Sequence, residues 1–283
     1  MTVRESAVVT GVGLAVPGAG TPGALLRAAP GRGRAEPVDI GARIGRRGHR
    51  YKDRATRLAL CAAQDALREA GLLPARDDGP PGSGGGTTPA RTGDTGGTGG
   101  TGGTGGTGAE RAACTDGPDG LGGGDGPGCA DGEEPDDAAG VVVSTNLGNL
   151  DTVCLTTAAI AAGSVTDLSP MALPNASSNV TAAWLAIRFG LRGPNLTLSN
   201  GPTSGLDAVH WAAVLVAAGR APRVLVVGVE PCNEVVQGLL GHPAADLFDG
   251  AAALVVEGAA AARARGAAAL AALGRYERRA GLA

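Results

Sequence analysis

Residues 193 to 205 of this chain read Gly193-Pro194-Asn195-Leu196-Thr197-Leu198-Ser199-Asn200-Gly201-Pro202-Thr203-Ser204-Gly205. The stretch Asn195–Ser199 predicts a short strand, and the Asn-Gly-Pro run after it is typical of a turn. Ser204–Ala218 then carries apolar or small residues nearly all round, which predicts a helix buried on both sides. The segment therefore predicts a strand, a tight turn and a buried helix.

Strand and helix signals alternate on both sides of this segment. Buried strands are predicted at Ala7–Val12, Gly140–Ser144, Asn195–Ser199, Arg223–Val229 and Ala251–Glu257. Helices are predicted at Lys52–Ala70, Asp151–Ala162, Ser177–Phe189 and Ser204–Ala218. Such alternation predicts an α/β domain in which crossover connections pair strands in parallel.

The Lys52–Ala70 helix has the clearest amphipathic pattern. Gly71 follows it as a C-terminal stop. Its apolar face collects Ala55, Leu58, Ala59, Ala62, Ala66 and Leu67. This spacing predicts a helix with one buried side.

The composition indicates a globular protein with an aliphatic core. Of the 283 residues, 43% are hydrophobic but only 2% are aromatic, so the core must be built from Ala, Val and Leu. The net charge of −3 is unevenly spread, at +7 over residues 1–76, −10 over 77–139 and 0 over 140–283. An acidic tract beside a basic one favours self-screening over nucleic-acid binding.

The cysteines indicate a reducing compartment. Cys61, Cys114, Cys129, Cys154 and Cys232 are scattered, with no CxxC pair and no adjacent histidine, so we predict no metal site. Their odd number and the lack of a secretory apolar segment at the start favour reduced thiols and a cytoplasmic protein. No uninterrupted apolar run reaches the length of a membrane span, so we expect no membrane insertion.

Residues 74–139 form a low-complexity insertion. Thr-Gly-Gly repeats fill residues 95–108, and acidic residues outnumber basic ones across the whole stretch. Such a composition buries too little apolar surface to offset the entropy of ordering it, so we predict a long disordered loop or tether. The insertion would divide one domain into residues 1–73 and 140–258, with a short C-terminal tail at 259–283.

The glycines of Thr10-Gly11-Val12-Gly13 raise the alternative of a dinucleotide-binding loop. Such a loop needs a third glycine at the start of a helix, but the corresponding position is Val16, and no helix pattern follows it. We therefore expect neither a nicotinamide site nor another cofactor.

Several segments, in the right order, resemble the β-ketoacyl synthase family of thiolase-like condensing enzymes. Val8–Gly13 is similar to the family's opening strand, and Lys52–Gly71 is similar to its first helix. Ile187–Asn195 is similar to the segment before the nucleophile, while Arg223–Glu230 and Phe248–Glu257 resemble later strands. The resemblance covers nearly everything outside the insertion. It implies the N-terminal half of a thiolase-like fold, with a five-stranded mixed sheet and helices on both faces.

In that family the turn after the Gly-Pro-Asn strand carries a catalytic cysteine at the head of a helix. Counted from Gly193, this position holds Pro202. A cysteine there has a thiolate stabilised by the helix dipole, and in the family its backbone N–H also helps to hold the oxyanion. Proline has neither group, and loss of one oxyanion donor alone raises a barrier by about 3 kcal/mol. The resemblance thus implies a degenerate nucleophile position at which proline still fits a helix start.

Thr203 and Ser204 are the remaining candidate nucleophiles, because residues 201–205 also fit a G-x-[S/T]-x-G elbow. Such a nucleophile needs a base. His210 is about 10 Å of helix rise from Thr203 and cannot reach it directly, which leaves His242 conceivable. An acyltransferase or thioester hydrolase that uses Thr203 or Ser204 is therefore the alternative hypothesis.

The resemblance also predicts partners. The family's catalytic histidines and supporting lysine come from its C-terminal half, and nothing after Ala251 resembles their motifs. With only the first half present, the Ser204–Ala218 helix would expose an apolar face, which monomers rarely do over a large area. The resemblance implies a dimer through the Asn195–Ser199 strand, either with itself or with a ketosynthase subunit, and contact with an acyl carrier protein.

These observations converge on a ketosynthase-like pseudoenzyme. Its hypothetical role is that of a catalytically inactive companion of an active ketosynthase in fatty-acid or polyketide biosynthesis, similar to chain-length-factor subunits. The alternatives to this role are an activity of the acyltransferase family and a decayed protein without function.

Overall fold

The computed structural model describes residues 7–27, 36–45, 47–49, 51–75, 138–170 and 173–279. Its six strands are β1 (Ala7–Ala15), β2 (Gly140–Ser144), β3 (Asn195–Leu198), β4 (Arg223–Glu230), β5 (Gly250–Gly258) and β6 (Ala271–Ala272). Its eight α-helices are α1 (Pro22–Arg27), α2 (Ile40–Ile44), α3 (Arg54–Glu69), α4 (Leu150–Ala162), α5 (Val180–Phe189), α6 (Ser204–Ala217), α7 (Glu234–Leu240) and α8 (Ala259–Ala264). Residues 76–137 of the predicted insertion lie outside the described residues.

The strands form one mixed sheet in the order β3-β2-β4-β5-β1-β6. Strand β2 pairs in parallel with β3 and β4, whereas β5 runs antiparallel to both β4 and β1. The predicted mixed α/β sheet is confirmed, and all five predicted strands are present. Strand β6 is an addition at the edge: it pairs antiparallel with Val8 and Val9 and is only two residues long.

Helices cover both faces of the sheet. Along β2, Val142 points to one face and its neighbours Val141 and Val143 point to the other, as strand geometry requires. Helices α3 and α5 pack on the face of Val141 and Val143, and α6 packs on the face of Val142. All three valines are buried, which explains why β2 reads as an uninterrupted apolar run.

Helix α3 begins two residues later than the sequence pattern predicts, because Asp53 caps it. The Asp53 Oδ1 accepts a hydrogen bond from the Thr56 backbone N–H at 2.6 Å, which satisfies an amide that has no partner within the helix. The predicted apolar face is confirmed as buried: Ala55, Leu58, Ala59, Ala62, Ala66 and Leu67. Gly71 follows the helix with a φ of 71°, a left-handed conformation that favours glycine.

Helix α3 crosses β1 at very short range. A Cβ atom on Gly13 would lie 1.9 Å from the Ala62 carbonyl oxygen, and one on Gly11 would lie 2.2 Å from that of Ala66. The two glycines therefore allow a helix and a strand to touch through their backbones. The next helix, α1, starts well beyond the end of β1, so no helix begins where a dinucleotide loop would require it.

Strand β5 carries a buried carboxylate. Glu257 is 1% exposed, and its oxygens accept hydrogen bonds from Arg265 Nε at 2.9 Å and Thr10 Oγ1 at 2.5 Å. Burial by itself would raise the pKa of Glu257, but the hydrogen bonds from Arg265 and Thr10 outweigh it and hold the pKa below its ordinary value. Arg265 also donates to the Ala70 carbonyl oxygen at 2.7 Å, so this cluster ties β5 and β1 to the end of α3.

The segment after α8 returns to the sheet. Backbone hydrogen bonds join Leu270 to Val9 at 2.8 Å and Leu273 to Ala7 at 2.9 Å on either side of β6. Beyond β6, Tyr276 reaches the first turns of α6. In the part of the chain that the structure describes, every helix is too short or too polar to cross a membrane.

Candidate functional site

The candidate site lies at the edge of the sheet where β2, β3 and β4 end. These three strands are parallel to one another, so their carboxyl ends meet at the position where open α/β sheets usually bind ligands. A 3₁₀ turn at Gly201–Thr203 leads from β3 into α6. Pro202 is exposed in this turn. A backbone N–H at this position would have no partner within the helix, so proline, which has no N–H, is tolerated here.

Asn146, in the loop after β2, holds the turn in place. Its Oδ1 accepts a hydrogen bond from the Gly201 backbone N–H at 2.9 Å and another from the Ser204 hydroxyl at 3.3 Å. Its Nδ2 donates to Glu230 Oε1 at 2.9 Å. One amide side chain thus connects the start of α6 to the end of β4.

Glu230 completes this network. Its Oε1 also accepts from the Asn146 backbone N–H at 2.7 Å, and its Oε2 accepts from the Leu147 backbone N–H at 3.1 Å. Both carboxylate oxygens are therefore engaged with the loop after β2. This arrangement makes Glu230 a residue that positions the loop.

The two candidate nucleophiles have hydrogen-bond partners other than histidine among the described residues. The Thr203 hydroxyl donates to Asp207 Oδ2 at 3.0 Å. Ser204 is buried, and its hydroxyl accepts from the Asn200 backbone N–H at 2.5 Å. Ser204 is therefore inaccessible to solvent. Thr203 is half-buried, and the only candidate base hydrogen-bonded to it among the described residues is the Asp207 carboxylate.

Asp207 is the charged centre at the start of α6. It is 5% exposed, accepts from Asn200 Nδ2 at 3.1 Å and from the Tyr276 hydroxyl, and lies 3.6 Å from Arg278. The hydrogen bond from Tyr276, followed by that from Asn200, lowers the pKa of Asp207 below its ordinary value. A carboxylate with a lowered pKa is a weaker base at neutral pH than an ordinary aspartate.

The two histidines considered as bases have other surroundings. His210 stacks on Tyr276, with ring centroids 4.5 Å apart. His242 is exposed in the loop after α7. Neither forms a hydrogen bond with Thr203 or Ser204 among the described residues.

Pro202 lines a shallow hollow of about 270 Å³. Asn146, Gly228, Glu230 and Phe248 contribute to the same wall. Of the described residues that line the hollow, Glu230 is the only ionisable one, and its carboxylate is already hydrogen-bonded. The hollow can therefore accept a small group but offers it little acid–base chemistry.

Sequence reasoning found the turn but missed three residues that hold it: Asn146, Glu230 and Asp207. The signals were present. Asn146 and Glu230 lie at the carboxyl ends of two predicted strands, and Asp207 is the one acidic residue in the predicted α6 segment. Polar residues just after a parallel strand often contribute to a binding site. An acidic residue within an otherwise apolar helix is informative because buried acidic side chains are rarely without a partner.

Helix α6 is buried on one side only, so the prediction of burial on both sides is wrong. Its buried side carries Ser204, Asp207, Ala208, Ala212 and Val216. On the other side, Leu206 is 67% exposed, Trp211 45% and Val214 39%. The residue pattern gave the wrong prediction because apolar residues also occupy the solvent-facing side of this helix.

Strand β3 is the strand that the resemblance assigns to dimer pairing. It lies at the edge of the sheet and is hydrogen-bonded to β2 on one side. None of its four residues is fully buried. Within the described residues, its other edge remains open to a further strand.

Comparison with solved structures defines the class of fold. The structure described as the ishigamide ketosynthase/chain length factor is similar with a TM-score of 0.60 and 22% identity, over 94% of this chain and 65% of that one. A type II polyketide synthase acyl-carrier protein in complex with its ketosynthase gives a TM-score of 0.61 and 18% identity, over 94% of this chain and 66% of that one. The protein thus has the thiolase-like fold of ketosynthases.

Sequence comparison shows a partial similarity to the same enzymes. Residues 125–247 match the family model of the β-ketoacyl synthase N-terminal domain. The chain is 32% identical over 113 residues to 3-oxoacyl-(acyl-carrier-protein) synthase 2 of Vibrio harveyi, over 40% of this chain and 27% of that protein. The corresponding synthase of Vibrio cholerae is 31% identical over 106 residues, or 38% of this chain and 25% of that protein. The chain is therefore similar to β-ketoacyl synthases over this part of its length, and its match spans about a quarter of the length of these curated relatives.

Proposed function

We propose that this protein is a catalytically inactive ketosynthase-like subunit, the companion of an active ketosynthase in fatty-acid or polyketide biosynthesis. The start of α6 is the observation that carries the proposal. Pro202 occupies the position at which the family resemblance expects the nucleophilic cysteine. Proline supplies neither a thiolate nor a backbone N–H for an oxyanion, yet it fits the first turn of a helix.

The neighbouring hydroxyls support the same proposal. Ser204 is 1% exposed and hydrogen-bonded to the backbone of Asn200. Thr203 is hydrogen-bonded to Asp207, whose lowered pKa makes it a poor base. A substitute nucleophile would need an accessible hydroxyl paired with a base, and neither residue combines the two.

Two surfaces support the role of a companion. Leu206 and Trp211 point outward from α6, where a second protein would remove apolar area from water. The open edge of β3 can accept a further strand. We therefore propose that Asn195–Ser199 pairs with a ketosynthase subunit or with a second copy of this chain.

The similar solved structures favour these partners. One is described as a ketosynthase/chain length factor, and another as an acyl-carrier protein in complex with its ketosynthase. By analogy we propose that the complex formed by this chain receives acyl groups on an acyl carrier protein.

Intact-mass spectrometry tests the lack of activity. We expect the purified protein to gain no acyl group when it is incubated with acyl thioesters of a carrier protein. An adduct that is lost in Thr203→Ala or Ser204→Ala would instead establish an acyltransferase or thioester hydrolase. Because Cys154 is exposed, a Cys154→Ser variant serves as the control for acylation of a surface thiol.

Substitution of Pro202 by cysteine tests whether the turn keeps the geometry of a nucleophile site. We expect the introduced thiol to react with iodoacetamide at neutral pH faster than Cys154, because a helix N-terminus lowers a thiol pKa. Equal rates at the two thiols would contradict descent of this turn from a nucleophile site.

Light scattering on size-exclusion chromatography, with and without an intact ketosynthase, tests the companion role. We expect association, and we expect Trp211→Glu to weaken it by placing a charge on the outward side of α6. The matched control is Leu26→Glu on α1, where the leucine is 88% exposed. A stable monomer that binds neither a ketosynthase nor a dye for exposed apolar surface would refute the proposal.

A further inference from the structure

A cleft of about 360 Å³ lies beside α2 and the start of α3. Three glycines, Gly41, Gly45 and Gly48, form part of its wall. The ionisable residues among its described lining are His49, Lys52 and Arg57, and all three are basic. A concave surface lined by one sign of charge concentrates ions of the opposite sign.

Lys52 is fixed in this cleft and is the only lysine in the chain. Its Nζ lies 3.8 Å from the centroid of the Trp184 ring and donates a hydrogen bond to the Gly48 carbonyl oxygen. Partial burial, followed by repulsion from Arg188, lowers the pKa of Lys52. An ammonium group held in this way would be stabilised by a negative charge at close range.

His49 adds a buried polar atom without a partner. Its Nε2 lies 3.2 Å from the Ile44 carbonyl oxygen, so this nitrogen carries the proton and donates. Its Nδ1 is buried and has no hydrogen-bond partner among the described residues. When His49 is protonated, Nδ1 becomes a donor and requires an acceptor.

Arg57 supplies the third group. Its Nε donates to the Asp53 backbone carbonyl oxygen at 3.3 Å, and this hydrogen bond orients the guanidinium group. Among the described residues, no salt bridge joins Arg57 or Lys52 to a carboxylate. Two cations and one histidine thus share a cleft without a described counter-charge.

We propose that this cleft binds a small oxyanion of the phosphate class, either free or carried on a small organic group, with Lys52, Arg57 and His49 as its ligands. Charge-assisted hydrogen bonds from such groups are the strong class of contact to phosphate. The volume falls within the range of roughly 300–1,000 Å³ found for small-molecule sites. The cleft shares no lining residue with the hollow at Pro202, so this site is independent of the proposed companion role.

Binding at this site is linked to protonation of His49. Burial, together with repulsion from Lys52, Arg188 and Arg57, lowers the pKa of His49, so the free site holds a neutral imidazole at neutral pH. A bound oxyanion reverses this balance and raises the pKa, so that binding takes up a proton. Protonation of His49 therefore strengthens binding of a given ionic form of the oxyanion as pH falls.

The single lysine allows a direct measurement. Lysine-selective ¹³C labelling gives one ¹³Cε resonance, which reports Lys52 alone. We expect inorganic phosphate to shift this resonance saturably and to raise the pKa of Lys52, whereas sodium chloride at equal ionic strength does neither. Glycerol phosphate distinguishes the two sources, since tighter binding than inorganic phosphate indicates a phosphate carried on an organic group and weaker binding indicates the free ion.

Variants test the ligands. Arg57→Gln is expected to weaken phosphate binding about tenfold, as loss of one hydrogen bond to a charged group predicts, and Arg57→Lys is expected to weaken it less. His49→Gln should alter the pH profile of affinity relative to wild type, because the titration of the phosphate itself is common to both proteins and only wild type adds the protonation of His49. The matched control is Arg263→Gln on α8, which removes the same charge from an exposed position outside the lining and should leave affinity unchanged. The proposal is overturned if phosphate and glycerol phosphate leave the wild-type resonance unshifted, or if folded Arg57→Gln and Arg263→Gln bind phosphate equally well.

Discussion

Substitution of Gly13 by alanine is expected to destabilise the domain, because the added methyl group would enter the backbone of α3. Its Cβ would lie 1.9 Å from the Ala62 carbonyl oxygen and 2.5 Å from the Ala66 backbone nitrogen. Ordinary van der Waals contact begins at 3.4 Å, so β1 and α3 would have to separate by about 1.5 Å. Backbone atoms within a helix cannot swing aside as a flexible side chain does.

The structure sets the size of this effect. Overpacking of a close-packed interior costs about 1–3 kcal/mol, and we expect the upper end here because the whole α3–β1 interface must open. Gly228→Ala on β4 is the matched control, since a Cβ there meets nothing within 4 Å. Alanine at a compatible strand position is expected to be neutral or to stabilise by up to about 1 kcal/mol.

Urea denaturation followed by circular dichroism measures both variants. With an m-value of about 2–3 kcal/mol/M, a loss of about 3 kcal/mol lowers the midpoint by roughly 1 M or more. A glycine kept for nucleotide binding would instead leave the stability of the free protein unchanged. If Gly13→Ala and Gly228→Ala unfold at the same midpoint with the same m-value, the packing argument for Gly11 and Gly13 fails.

Three further outcomes are expected. Glu257→Gln should lower the free energy of unfolding by about 3 kcal/mol, the lower end for a broken buried pair because Arg265 keeps some solvent contact; a urea midpoint equal to that of wild type would contradict this. Since folding lowers the pKa of Glu257, its stabilisation is present above the ordinary glutamate pKa and is lost as pH falls through the folded-state value. Wild type should therefore lose more stability in acid than Glu257→Gln, and parallel pH profiles would speak against it. Tyr276→Phe should raise the pKa of Asp207 towards its ordinary value, as read from the ¹³Cγ shift against pH, and an unchanged midpoint would show that the Tyr276 contact is not formed.

Local pattern was sufficient to predict most of the sheet. Strand β2 is a run of valines bounded by Gly140 and Ser144, and such a run has few alternatives to a buried strand. Because Asp53 caps it, helix α3 begins two residues later than predicted, but its buried face is the predicted one. Strand β6 could not be predicted, because two alanines carry no periodicity and their pairing with β1 depends on tertiary contact.

The candidate site divides in the same way. The turn at Gly201–Thr203 was predictable because glycine and proline are local signals. The hydrogen bond between Asn146 and Glu230 was not, because 84 residues separate them and only the convergence of parallel strand ends brings them together. The exposed side of α6 was predicted from the family resemblance but not from the residue pattern, because an apolar composition does not distinguish a helix buried within one chain from a helix that faces a partner.

The hydrogen bonds around Pro202 bear directly on the choice between an enzyme and a subunit without activity. Asn146, Glu230 and Asp207 direct their polar atoms at the backbone and side chains that hold the start of α6. An active site keeps donors or acceptors in reserve for a transition state, and their pre-organisation stabilises the charge that develops there. Here Asn146 and Glu230 are hydrogen-bonded to each other, and Asp207 is hydrogen-bonded to Thr203 and Asn200, so these contacts stabilise the turn without a substrate. A turn maintained in this way, next to the outward apolar side of α6, supports a role in presenting a surface to a partner more than a role in acyl transfer.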